Sequence, residues 1–225
     1  GLPELVCETL QEQNLLDNYT LFTEAGAIGG IPAPGMFFGA AVAPEKIISS
    51  PEVFELANEN LDATVLGFLQ VDSDGNVNAS KRGNGAIDYV GPGGFIDLSC
   101  AAKNVFFVGS WMMKGKVAVN KGVTKIKKYG LPKFIDRVDQ ITFSGKEGMK
   151  AGKNIFYITD VGTFKLTEQG MMLIEIREGI NLQKDILGFS PMKIVSRSGS
   201  SLPSSFTGVS RRTEATLRSE KVSSR

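Results

Sequence analysis

The sequence predicts an α/β protein built on an open, mostly parallel sheet flanked by helices, with a hairpin region toward its C-terminus. Residues 62–71 (Asp-Ala-Thr-Val-Leu-Gly-Phe-Leu-Gln-Val) and 104–110 (Asn-Val-Phe-Phe-Val-Gly-Ser) are near-continuous apolar runs. Such runs mark strands covered on both faces, as parallel strands are; a half-exposed strand would alternate. Helix-period segments lie before and between them. Residues 155–159 and 162–166 are β-branched and aromatic stretches on either side of Asp160 and Val161, which reads as a hairpin closed by a tight turn.

Taken in order, residues 3–16 predict a helix. Leu2, Leu5, Val6, Leu10 and Leu15 form an apolar stripe of helical period, and Pro3 suits a first turn. Residues 19–23 (Tyr-Thr-Leu-Phe-Thr) predict a core strand. Residues 32–44, apolar and glycine-rich, predict a buried loop or short strand beside it. Residues 44–58 read as a helical segment interrupted near Pro51. Asp72-Ser-Asp-Gly75 is a turn signal. A glycine-rich stretch ends in Gly91-Pro-Gly93-Gly94-Phe95, and residues 98–103 predict a short helix. Residues 114–129 alternate apolar and basic side chains and belong on the surface. Residues 139–144 and 171–176 predict strands, and 181–187 a closing short helix.

The composition bounds the rest. Of 225 residues 42% are hydrophobic, enough to bury a core in one domain, placed at 1–195. Residues 196–225 are rich in Ser and Arg and hold one aromatic, Phe206, too little apolar surface to offset ordering, so they predict a disordered tail. The formal net charge of +1 argues against a general nucleic-acid surface. Cys7 and Cys100 are far apart and only two, which argues against a disulfide framework and suits a reducing compartment. No apolar run approaches the roughly 20 residues that span a bilayer. The start, Gly1-Leu-Pro-Glu, has no initiator Met, does not read as a signal peptide, and reads as a chain entered mid-domain. There is no histidine. A Ser-His or Cys-His nucleophile pair is therefore excluded within this chain. Two cysteines and carboxylates are a poor zinc set, so no metal site is assigned. Chemistry must rest on carboxylates, lysines, hydroxyls and backbone amides.

One stretch concentrates such groups. The run 19–23 ends in Glu24, followed at once by Ala25, Gly26, Gly29, Gly30 and Pro32. In open parallel sheets ligands sit beyond the carboxyl ends of strands, where Glu24 is placed, and the glycines let something bulky approach the backbone. Read from the residues alone, Glu24 is equally a solvated strand-end side chain and the glycines a tight turn. Asn78 is equally an Asx-turn residue, the Gly91 to Phe95 stretch a plain turn, and Lys114 and Lys116 solvated surface.

Eight motifs in order carry a resemblance. They are Gly1-Leu-Pro3-Glu4; Glu24-Ala-Gly26-Ala-Ile-Gly29-Gly30-Ile-Pro32; Phe38-Gly-Ala-Ala-Val42; Gly75-Asn-Val-Asn78; Gly93-Gly94-Phe95-Ile96; Val105-Phe-Phe-Val-Gly109; Ile141-Thr-Phe-Ser-Gly145; and Gly179-Ile-Asn-Leu-Gln-Lys-Asp-Ile-Leu187. Together they resemble the C-terminal (β) half of family I CoA-transferases, nearest the branch that moves CoA between short-chain acyl-CoA and acetate or propionate. The resemblance implies that Glu24 is a nucleophile forming a covalent glutamyl-CoA thioester, with ping-pong kinetics. It implies that Ala25, Gly26 and Asn78 serve the oxyanion and acyl group, and that Gly1, Leu2, Pro3, Gly93, Gly94 and Lys114 contact CoA. The CoA thioester is then a substrate, and no cofactor is called for. The implied partners are acyl-CoA, a short-chain carboxylate and an α-type CoA-transferase half in a homo- or hetero-oligomer, with no nucleic acid and no membrane. The implied compartment is cytoplasm or mitochondrial matrix. That half begins one strand earlier in the family, so a missing first strand is expected. A non-catalytic binding or assembly module is the alternative reading.

Overall fold

The computed structural model describes residues 4–33, 35–37 and 39–196. Gly1, Leu2 and Pro3, and the segment 197–225 for which a disordered tail is expected, lie outside the described residues.

The two long apolar runs form neighbouring parallel strands, β1 (Ala63–Gly67) and β2 (Asn104–Val108). β3 (Asn154–Ile158) lies parallel on the other side of β2. The chain then returns antiparallel through β4 (Gly162–Thr167) and β5 (Gly170–Ile176), and β6 (Val195–Ser196) adds a parallel edge. The order is β6-β5-β4-β3-β2-β1, with three of the five neighbouring pairs parallel. The expected hairpin closes as Thr159 N–H donates to Gly162 O at 2.9 Å.

Register explains the core. Leu66, Phe107, Tyr157, Phe164 and Leu173 stand opposite one another across β1 to β5. The middle three and Leu173 are fully buried. Each such side chain removed from water contributes about 1.5–3 kcal/mol. Phe107 is the hub: its ring lies 5.7 Å from Phe95, 5.1 Å from Phe143 and 5.4 Å from Tyr157. Among the described residues four α-helices accompany the sheet: α1 (Glu4–Glu12), α2 (Ser50–Asn60), α3 (Phe95–Ala101) and α4 (Gly145–Lys150). Phe95 ties the start of α3 to the core. None of the described helices is long and apolar enough to cross a membrane.

Several expectations are corrected. Residues 19–23 do not join the sheet. Phe22 makes one antiparallel bridge to Ile28, Tyr19 is 57% exposed, and the segment folds back on its own return as an edge hairpin. Strand-forming side chains need a neighbouring strand to pair with, and among the described residues none other lies alongside. Residues 32–44 form a short hairpin, Ile31–Pro32 against Ala41–Val42, but it is not buried: Met36, Phe37 and Val42 are exposed. Pro51 opens α2 rather than interrupting it, because the first turn needs no N–H from it. Ser49 N–H and Oγ both donate to Glu52 at that helix start. Residues 139–144 are not a sheet strand. Thr142 and Phe143 N–H groups both go to Val77 O, and Ser144 caps α4. The closing helix at Leu182–Leu187 is wound as a π-helical turn capped by the Asn181 side chain. Residues 114–129 are mostly exposed, as expected, in an antiparallel pair of strands, Lys116–Asn120 and Val123–Lys128, with Thr124 buried and Val117 and Ile126 packed on the core.

Candidate active site around Glu24

Glu24 projects from a tight turn whose backbone is held on all sides. Gly26 N–H donates to Thr23 O at 3.0 Å, and Thr23 N–H to Ala27 O at 2.9 Å. The Thr23 hydroxyl donates to Gly39 O at 2.8 Å, tying the turn to the exposed hairpin. Ala27–Ile28 then pairs antiparallel with Lys46–Ile47, and Ile48 N–H donates to Gly26 O at 2.9 Å. Gly26 has a φ of +115°, and a Cβ there would sit 1.9 Å from the Ile48 carbonyl oxygen. Only glycine satisfies both the dihedral and the approach.

The second wall arrives from 70 residues away. Gly94 N–H donates to Glu24 Oε2 at 3.1 Å. Gly94 is the N-cap of α3, so the carboxylate lies at the positive end of a short helix dipole. Both glycines crowd the side chain. A Cβ on Gly93 would stand 3.2 Å from Glu24 Oε1, and one on Gly94 would stand 2.6 Å from Oε2. Gly94 is buried while Gly91 to Gly93 are exposed, and Glu24 is half-buried. The carboxylate is thus partly desolvated, oriented by one backbone donor, and reachable from solvent.

The structure brings Glu24, Gly93 and Gly94 together, with Ala25 and Gly26 in the same turn. It does not bring Asn78 there by any hydrogen bond. Asn78 is fully buried in its own turn: Nδ2 donates to Gln70 Oε1 at 2.7 Å and to Lys81 O at 2.8 Å, while Oδ1 accepts from Ser80 and Lys81 N–H groups. Both amide hydrogens are taken, one by the Gln70 side chain on the facing strand and one by Lys81 O, while Oδ1 holds the turn at 78–81. Lys114 is exposed with a φ of +58°, at the turn after the Met112–Met113 strand. Gly1, Leu2 and Pro3 lie outside the described residues. One neighbour was not foreseen. The half-buried Phe54 of α2 presents Cε1 and Cζ at 2.8 and 3.0 Å from the Cβ position of Gly94. It stands next to the buried Val53 in sequence, and no local pattern distinguishes it.

No protein-family model matches the chain. It is 39% identical over 191 residues to a caffeate CoA-transferase of Acetobacterium woodii, covering 83% of this chain and 36% of that protein. It is 38% identical over 190 residues to the acetate CoA-transferase YdiF of Escherichia coli K12, covering 83% of this chain and 35% of the relative. The chain therefore spans little more than a third of the length of the curated relatives it matches. Among solved structures, the acyl-CoA transferase YdiF of E. coli O157:H7 superposes with a TM-score of 0.79 at 33% identity, over 88% of this chain and 38% of that one. The same protein in a thioester complex with CoA superposes equally well, with a TM-score of 0.79. Over most of its own length the chain thus shares sequence and fold with CoA-transferases.

Proposed function

We propose that this chain carries the nucleophile of a short-chain acyl-CoA transferase, and that the nucleophile is Glu24. One observation carries the reading: a half-buried carboxylate is oriented by Gly94 N–H at 3.1 Å and flanked by two glycines that leave its faces open. The chemistry follows. A Glu24 oxygen attacks the thioester carbonyl of acyl-CoA; the C–O bond forms, the C–S bond breaks, and an acyl-glutamyl anhydride and CoA thiolate result. The thiolate then attacks the glutamyl carbonyl and releases the first acid, which leaves a glutamyl-CoA thioester. An incoming carboxylate reverses the sequence and departs as the new acyl-CoA. Every step is carboxylate and thiolate exchange, which gives ping-pong kinetics through a covalent enzyme. The backbone N–H groups of Ala25 and Gly93 are suited to the developing oxyanion, since those of Gly26 and Gly94 are committed to Thr23 O and Glu24 Oε2. Remote contacts to the CoA nucleotide and pantetheine supply binding energy that is used at the thioester. That E. coli YdiF is known as a thioester complex with CoA supports the covalent route here.

We also propose that an α-type half completes the acyl pocket, within a homo- or hetero-oligomer, since the chain spans little more than a third of the matched relatives. The test is intact and peptide mass spectrometry after incubation with acetyl-CoA, with and without a complementary α-type half. A CoA adduct on the Glu24 peptide, absent in Glu24→Gln, is the expected result. No adduct in protein shown to be folded, under either condition, favours a binding or assembly module and sinks the catalytic reading.

A further inference from the structure

Phe54 and Glu24 are linked through one missing atom. The point that a Cβ on Gly94 would occupy lies 2.6 Å from Glu24 Oε2 and 2.8 Å from Phe54 Cε1. A carboxylate oxygen and the edge of a phenyl ring therefore share a single small space, and glycine is what keeps it open. Of the two, the ring is the firmly carried one. Phe54 rides on α2, whose start is closed by the Ser49 and Glu52 hydrogen bonds and whose Val53 and Ala57 are buried. α2 packs against α3, and α3 is anchored through Phe95 on Phe107. The ring is half-buried, as is Glu24.

We propose that Phe54 is the apolar wall met by the acyl group on Glu24, and that it limits the size of the acid this site transfers. The inference rests on Glu24 being the nucleophile. When the thioester carbonyl is attacked, the acyl carbon becomes bonded to a Glu24 oxygen and the sulfur leaves. The acyl chain then grows outward from a carboxylate one of whose oxygens lies beside the same space as the phenyl edge. A one- or two-carbon chain is covered by the ring; a longer or planar aromatic chain has to displace it. One methylene against an apolar wall changes kcat/KM by about 10–200-fold.

The experiment compares rates of Glu24 labelling by acetyl-CoA and by butyryl-CoA. Both donors leave the same glutamyl-CoA adduct, so the ratio of the two rates isolates the acyl group from CoA recognition. The full chain is used, with the complementary α-type half where labelling requires it. Phe54→Ala is expected to raise the butyryl-to-acetyl ratio by about tenfold or more, and Phe54→Trp to lower it by a similar factor. A merely structural role would move both rates together and leave the ratio where it was. A ratio unchanged within about twofold in both variants, with Glu24 still labelled, overturns the proposal for Phe54 while the reading of Glu24 stands. Failure of the unaltered chain to label with either donor overturns the nucleophile reading and this inference with it.

Discussion

Gly94→Ala is the substitution that most sharply tests the geometry around Glu24. Gly94 has φ −75° and ψ 6°, a conformation open to any L-residue, so the backbone itself resists nothing. Restricting the unfolded chain would even stabilise the protein by about 0.4–1 kcal/mol. The whole penalty is therefore steric and local. The new methyl group would stand 2.6 Å from Glu24 Oε2 and 2.8 Å from Phe54 Cε1. Restoring ordinary contact requires the carboxylate to retreat by about 0.8 Å, because interiors are packed too closely to absorb the overlap elsewhere. Overpacking of this kind costs about 1–3 kcal/mol in a rigid core. Here one neighbour is the free end of a half-exposed side chain that can swing away, so the cost falls at the low end and roughly offsets the entropic gain. The expected melting temperature changes by a few degrees at most. The reacting oxygen, however, leaves its place, and a displacement near 1 Å costs about 100-fold in rate. The assay is the rate of CoA adduct formation on the Glu24 peptide, with thermal unfolding measured on the same sample. Labelling within about threefold of the unaltered chain, at an unchanged melting temperature, would refute the claim that this glycine positions the carboxylate.

Other expectations follow from the same structure. Glu24→Gln abolishes the adduct and leaves the melting temperature close to that of the unaltered protein, because a half-exposed isostere keeps the Gly94 hydrogen bond; differential scanning with mass spectrometry reads both. Gly26→Ala forces a Cβ to within 1.9 Å of a carbonyl oxygen at a φ of +115°. It should cost about 2 kcal/mol or more and expose the 23–28 turn to exchange, seen as faster amide hydrogen exchange there together with loss of labelling. Lys133 donates to Phe68 O at 2.7 Å, lies over the Phe68 ring, and is held down to about 8 by burial, with Asp160 opposing the shift. Between that value and its ordinary 10.5 the unfolded chain binds a proton that the folded chain does not. Stability should therefore rise with pH across this window, the penalty being fully present below it. Lys133→Met should flatten that rise in urea unfolding followed from about pH 7.5 to about pH 9.5, leaving a residual slope from Lys153, which burial lowers as well.

The outcome at individual residues shows where reading the sequence succeeded. β1, β2 and β3, the hairpin of β3 and β4, and the surface place of the lysine-rich segment were legible from apolar spacing. Coverage of the first two strands on both faces was not: β2 alternates buried and half-buried residues, and β1, at the edge of the sheet, buries only Thr64. Glu24 and its glycines were legible as a unit because the turn is local: Thr23, Gly26 and Ala27 hydrogen-bond within five residues of chain. The strand expected at residues 19–23 was misread for a related reason. β-branched and aromatic side chains announce strand geometry, but a strand exists only where a neighbour supplies hydrogen bonds, and spacing along one segment does not name that neighbour. The same holds for residues 139–144, where the Thr142 and Phe143 N–H groups share the Val77 carbonyl and the Asp139 N–H goes to the Gln70 side chain.

By itself the sequence determined the fold class, the order of the sheet-forming runs, the exclusion of histidine chemistry and the carboxylate on which the proposed reaction turns. Only the tertiary structure decided what that carboxylate faces. The Gly94 N–H lies 70 residues from Glu24 in sequence, and Phe54 reaches the same space from a third segment. The packing of α3 through Phe95 onto Phe107 sets both positions. It likewise decided that Asn78 divides its amide between its own turn and the Gln70 side chain on the facing strand. Local periodicity is enforced by backbone geometry within a few residues, whereas these contacts are chosen by the global burial of aromatic rings, and no single stretch of the chain contains that information.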